Sequence, residues 1–225
     1  MSLWIKICGN TSLTDARLAV DAGADAVGFV FAPSLRRVTA SQVAAIVPQL
    51  PPGVEKIGVF VDASFDEILE AVGTGPLTGV QLHAEIGSDI PSRLRAQFGP
   101  DLRIVRVVHF GADAAEQAAA IANDVNIDGI LVDSRTATEV GGTGIAFNWT
   151  AARNSLFKRA QERKHRLIAA GGLKPENVGE AIATLRPWGV DVSSGVEAAP
   201  GQKDPAKVQA FIANARAAAR TKQII

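Results

Sequence analysis

The chain has 225 residues, 47% of them apolar and 20% charged, which is enough apolar material to fill one substantial core. Its 23 basic and 23 acidic side chains cancel, so no global field draws it to nucleic acid or to an acidic membrane, although a local anion site is still open to it. The single cysteine excludes an intramolecular disulfide and a cysteine-rich zinc site, and fits a reducing compartment.

Short, β-branched apolar runs predict strands at residues 3–8, 26–31, 56–61, 78–82, 102–108, 128–133, 166–170 and 189–193. Helical spacing of apolar residues fills the intervals between them, and a last helix is predicted near 204–219. Continuous runs such as Ile130, Leu131 and Val132 suit parallel strands buried on both faces, and eight right-handed crossovers close into a cylinder. The expected fold is therefore α/β, a (β/α)8 TIM barrel in one domain spanning residues 1–225, with an open doubly wound sheet as its competitor. No Pro/Gly/Ser-rich linker divides the chain, and the longest irregular stretch lies around 134–148. The N-terminus lacks a long apolar run behind a basic start, and no run elsewhere reaches the roughly 20 residues of a membrane span, so a soluble, cytoplasmic protein is expected.

Barrels of this kind carry their chemistry where strands end and βα loops begin. In chain order that rim receives Cys8, Arg37, Asp62, His83, His109, Asp133, the pair Gly171 and Gly172, and the run Ser193, Ser194 and Gly195. Cys8 at a strand end would face the pocket, where a thiolate serves as nucleophile or proton-abstracting base; elsewhere a cysteine in an apolar strand is ordinary core. Asp133 follows an apolar run that would partly desolvate it, a setting suited to a general acid, with a loop or helix cap as its structural alternative. An acid and a base across one mouth suit an enolisation. The glycine turns at 171–172 and 193–195 follow the seventh and eighth strands, where backbone N–H groups can approach a phosphate. A single such pair would more simply be a tight turn.

Arg37 has the planar fork to hold a carboxylate, but Arg36 stands beside it, and the choice between them stays open. His83 and His109 lack the companions of a metal site, so hydrogen-bonding roles and no metal are expected. GGTG at 141–144 lacks the residues of a P-loop and is expected to be a substrate-facing loop. Asp191 either meets the substrate and orients loop amides, or is an inward carboxylate held by Lys6, which has the parity for it. Trp4, Trp149 and Trp188 are assigned to packing.

The segments KICGNT, GADAVGFVFAPSLRRVT, GVFVD, VQLHAE, LVDS, GGTGIAFNW, AAGGLKPENV and DVSSGVEAAPGQKDPAKV together resemble the phosphoribosylanthranilate isomerase family over residues 4–212. That resemblance implies an Amadori rearrangement of N-(5-phosphoribosyl)anthranilate in tryptophan biosynthesis, with no cofactor and no metal. It implies Cys8 as general base and Asp133 as general acid. Arg37 would hold the anthranilate carboxylate, with Arg36 as the one-residue alternative. His83 and Asp191 would contact the substrate, and Gly171, Gly172, Ser193, Ser194 and Gly195 would hold its phosphate. The implied partner is the small phosphosugar-anthranilate substrate, and the implied assembly a monomer or homodimer. Three positions depart from the family pattern: Ala84 stands for a common glycine, Asn148 for a common aspartate, and Leu35 for a familiar serine. The related histidine-pathway isomerase uses an aspartate where this chain has Cys8, and indole-glycerol-phosphate synthase needs a lysine there. A non-catalytic phosphate-binding barrel would keep the glycine loops and lose the acid or base.

Overall fold

A computed structural model describes residues 3–83, 85–133, 149–158 and 166–221. Eight parallel strands form a closed barrel in sequence order: β1 (Trp4–Ile7), β2 (Ala26–Val30), β3 (Glu55–Phe60), β4 (Gly79–Leu82), β5 (Arg103–His109), β6 (Gly129–Asp133), β7 (Leu167–Ala170) and β8 (Gly189–Val192). Pairing of β1 with β8, in the register Trp4 to Gly189 and Lys6 to Asp191, closes the cylinder and excludes the open sheet. The strands lie where the apolar runs placed them, with ends moved by a residue or so. His109 accordingly closes β5 rather than following it.

Helices α1 (Leu13–Asp21), α2 (Ala40–Ile46), α3 (Phe65–Thr74), α4 (Ile90–Phe98), α5 (Ala114–Ala122), α6 (Trp149–Ala152), α7 (Val178–Leu185) and α8 (Pro205–Thr221) alternate with the strands. Several starts are written in the sequence. The Ser12 side chain accepts from the Asp15 N–H, and Thr39 with Gln42 and Ser64 with Glu67 form reciprocal capping boxes. Two features were not expected, a π-helical turn at Arg153–Phe157 and a small antiparallel hairpin of β9 (Glu197–Ala199) and β10 (Gln202–Lys203). The hairpin folds back over the end of β8.

Strand residues of one parity pack outward against the helices in one large apolar core, which includes Ile5, Ile7, Val27, Phe29, Leu82 and Phe211. The other parity fills the barrel with a second cluster containing Trp4, Ala26, Ile57, Val105, Val107, Leu131, Ile168 and Ala170. Trp4 stacks on Trp188 with ring centroids 5.4 Å apart, so both tryptophans pack at the N-terminal end of the barrel, away from the mouth. The 134–148 stretch with its GGTG turn, Phe147 and Asn148 lies outside the described residues, as does Ala84. No described helix is long and apolar enough to cross a membrane.

Candidate active site

Cys8 is the first residue beyond β1. Its backbone N–H donates to the Val192 carbonyl at 2.8 Å, extending the β1–β8 pairing by one step. Asn10, fully buried, fixes the turn that follows by donating its side-chain amide to the carbonyls of Ile7 at 2.8 Å and Gly28 at 3.1 Å. Trp4, Lys6 and Cys8 share the parity that points into the barrel, so the thiol lies at the mouth above Lys6.

Lys6 is buried, and its ammonium donates to Gln81 Oε1 at 2.9 Å and to Asp191 Oδ1 at 3.0 Å. Burial opposes its charge, but Asp191 and then Cys8 more than offset that, and the lysine is held above its ordinary 10.5. Burial pushes the Cys8 thiol above its ordinary 9.0; Lys6 pulls it back and Asp191 pushes it further up. Asp191 thus holds Lys6 through one oxygen across the seam where β1 meets β8.

The two arginines separate clearly. Arg36 forms a two-pronged ion pair with Glu197, Nε to Oε1 at 2.8 Å and Nη2 to Oε2 at 2.6 Å, whereas the neighbouring Arg37 is exposed. Glu197 also accepts from Lys203 Nζ at 3.0 Å. Although burial opposes it, these two cations hold the Glu197 carboxyl below its ordinary 4.5. Lys203 reaches further, donating to the Cys8 carbonyl at 2.6 Å and the Ser193 carbonyl at 3.4 Å. The hairpin thus clasps the ends of β1 and β8 and the loop after β2.

Asp133, the last residue of β6, is buried at the opposite side of the mouth from Cys8 and lies beside His109 in the strand register. The rings of His109 and His83 are 5.8 Å apart and tilted, so β4, β5 and β6 contribute a continuous wall of His83, His109 and Asp133. Among the described residues no group of three or more His, Cys, Asp and Glu side chains is arranged to hold a metal.

Gly171 and Gly172 both adopt left-handed backbone, with φ of 80° and 62°, a conformation that side chains resist. Asn177 shapes this turn by accepting from the Lys174 N–H at 2.8 Å and donating to the Gly172 carbonyl at 2.9 Å. A Cβ at Gly195 would stand 1.9 Å from the Leu173 carbonyl oxygen, so the loops after β7 and β8 touch backbone to backbone. Ser193 and Ser194 lie in this joined segment. The site therefore gathers Cys8, His83, Asp133, Gly171, Gly172, Asp191, Ser193, Ser194 and Gly195 at one end of the barrel, with Arg37 exposed on the loop after β2. Gln81, Glu197, Lys203 and Asn177 were not singled out from the sequence; the Gln, Glu and Lys of QLHAE and GVE…QK are visible in it, but nothing there says which of them meet.

A closed eight-stranded parallel barrel with a thiol at the end of β1, a carboxyl group at the end of β6 and joined glycine loops after β7 and β8 places the chain in the class of TIM-barrel proteins. Residues 5–214 match the family model described as N-(5'phosphoribosyl)anthranilate (PRA) isomerase. The chain is 41% identical to the N-(5'-phosphoribosyl)anthranilate isomerase of Symbiobacterium thermophilum, covering 97% of this chain and 100% of that one. It is 42% identical to that of Trichlorobacter lovleyi, covering 95% and 98%. The crystal structure of phosphoribosyl anthranilate isomerase from Thermotoga maritima superposes with a TM-score of 0.83 at 38% identity, over 96% of this chain and 99% of that one. The chain belongs to the N-(5'-phosphoribosyl)anthranilate isomerase family, and it is an isomerase.

Proposed function

We propose that the protein converts N-(5-phosphoribosyl)anthranilate to 1-(2-carboxyphenylamino)-1-deoxyribulose 5-phosphate in tryptophan biosynthesis, with Asp133 as general acid and Cys8 as general base. The observation that carries this reading is the placement of both groups, buried, at the ends of β1 and β6 around one barrel mouth. A related structure, TM-score 0.80 and 35% identical over 96% of this chain and 99% of that one, is of a phosphoribosyl anthranilate isomerase in complex with reduced 1-(o-carboxyphenylamino)-1-deoxyribulose 5-phosphate.

In this mechanism the Asp133 carboxyl delivers its proton to the furanose ring oxygen. The bond from that oxygen to C1′ breaks, and the nitrogen lone pair closes a protonated Schiff base. The iminium acidifies C2′, and the Cys8 thiolate removes the C2′ proton, leaving its electron pair in a C1′–C2′ double bond. The resulting enolamine tautomerises to the ketose, and no redox partner enters. Positioning accounts for much of the rate, because a substrate fixed at both ends presents C2′ to the thiolate without a search. The joined glycine loops, with Ser193 and Ser194, would hold the phosphate, and His83 and Asp191 would meet the substrate between its ends. Arg37 would hold the anthranilate carboxylate, a reading favoured by the commitment of Arg36 to Glu197.

The direct test uses freshly generated phosphoribosylanthranilate and follows the loss of anthranilate fluorescence. The expected result is catalytic decay with formation of the ketose. A folded protein that leaves the fluorescence unchanged contradicts the proposal, and a two-phosphate aminoaldose turned over instead would point to the histidine-pathway rearrangement.

A further inference from the structure

We propose that Lys6 is the positioning residue that aims a buried cation at the Cys8 thiol and so sets how readily that thiol ionises. The inference deepens the preceding reading and rests on it for the role of Cys8 as base.

An ammonium carries three N–H donors and no acceptor. Two of those on Lys6 are occupied, by Gln81 Oε1 at 2.9 Å on β4 and by Asp191 Oδ1 at 3.0 Å on β8. These partners hold the headgroup across the barrel interior and leave its third N–H uncommitted to either, while the Cys8 thiol stands one layer above, close enough for the two charges to act on each other. The neighbouring strand is built to admit this arrangement. A Cβ at Gly28 would lie 2.7 Å from Cys8 Sγ and 2.9 Å from Lys6 Cε, so the absent side chain is the space in which lysine and thiol approach each other.

Among the described residues, the other charges acting on Cys8 are Asp191 from β8, Lys203 from β10 and Arg36 from the loop after β2. Arg36 and Lys203 both point their charged groups at Glu197, and Lys203 reaches Cys8 through its backbone carbonyl. Lys6, by contrast, carries its stem to the same gap over Gly28 that the Cys8 sulfur lines. Asp191 works in the opposite sense on the thiol while keeping Lys6 charged in a dry setting.

Cys8 is the only cysteine, so thiol alkylation and ultraviolet thiolate absorbance report on it alone. The experiment measures the pH midpoint of both signals in the native protein, Lys6→Met and Lys6→Gln. The glutamine variant keeps a donor for Asp191 and so protects folding, which circular dichroism checks. The midpoint is expected to move to higher pH in either folded variant, with alkylation at neutral pH falling about 10- to 1000-fold, the range an opposite charge at about 4–6 Å commands. A lysine that merely fills space would change the amplitude and leave the midpoint at its native value. A midpoint that stays or moves to lower pH in a folded variant overturns the proposal. Normal turnover by Cys8→Ala would instead remove the base assignment while leaving the titration result standing, so the two failures are distinguishable.

Discussion

Gly28 shows at the scale of one residue how tightly the Cys8 thiol is housed. In Gly28→Ala the new methyl meets sulfur at 2.7 Å and the lysine stem at 2.9 Å. The variant should stay folded, at a stability cost of about 1–3 kcal/mol for overpacking, and lose turnover because the thiol is displaced. Thermal unfolding alongside steady-state kinetics checks both halves. The pH dependence is also decided here. Because burial, only partly countered by Lys6, holds the Cys8 thiol above 9.0, its thiolate is a minority at neutral pH. The value of kcat/KM should therefore rise with pH through the neutral range, and a flat profile under chemistry-limited conditions would contradict Cys8 as base. Cys8, Asp133 and the glycine pairs were legible in the sequence because each directly follows or ends an apolar run. The Lys6–Asp191 pair was legible from parity alone. Arg36, by contrast, finds its partner 161 positions away, and no local pattern says that Glu197 rather than a substrate takes its guanidinium.

Among the elements, the β9–β10 hairpin ties the mouth together, and it escaped sequence reading because strands of three and two residues leave no periodic signal. Its pH dependence has a definite sign. The folded-state pKa of Glu197 is depressed, so its stabilising contribution is present above the ordinary 4.5 and disappears as pH falls through the lower folded value. Glu197→Gln should lower Tm at neutral pH and narrow its difference from the native protein in acid, as scanning calorimetry across that range would reveal. Lys6 obeys the opposite rule: its raised pKa gives a contribution present below 10.5 and lost as pH climbs through the higher folded value. The contact of Gly195 with the Leu173 carbonyl predicts that Gly195→Ala forces the two glycine loops apart. That change should weaken inhibition by inorganic phosphate and raise KM more than it lowers kcat.

Across the whole molecule, one fastening of the fold lies at the end of the barrel opposite the mouth. Arg216 on α8 donates to the Leu3 carbonyl, to the Gly23 carbonyl at 2.9 Å and to Asp25 Oδ2 at 2.8 Å, while Asp25 accepts from the Ile5 N–H at 2.7 Å. This knot fastens the last helix to the base of β1 and β2, remote from Cys8 and Asp133. Arg216→Ala should cost about 1–3 kcal/mol in denaturant unfolding and leave kcat/KM at its native value. The alternation of eight βα units was readable end to end because buried parallel strands are written as apolar runs. The exact strand ends were less so, since an apolar run does not mark which of its end residues completes the ladder, as at His109, which closes β5 beyond the run at 102–108.

The acid and base assignments meet their most direct test in single-turnover fluorescence decay of phosphoribosylanthranilate on the native protein, Cys8→Ala and Asp133→Asn, each shown to be folded. Each substitution should slow the decay by about 10²–10⁴-fold, the usual contribution of a positioned acid or base. Decay at the native rate in either folded variant would contradict the role given to that residue.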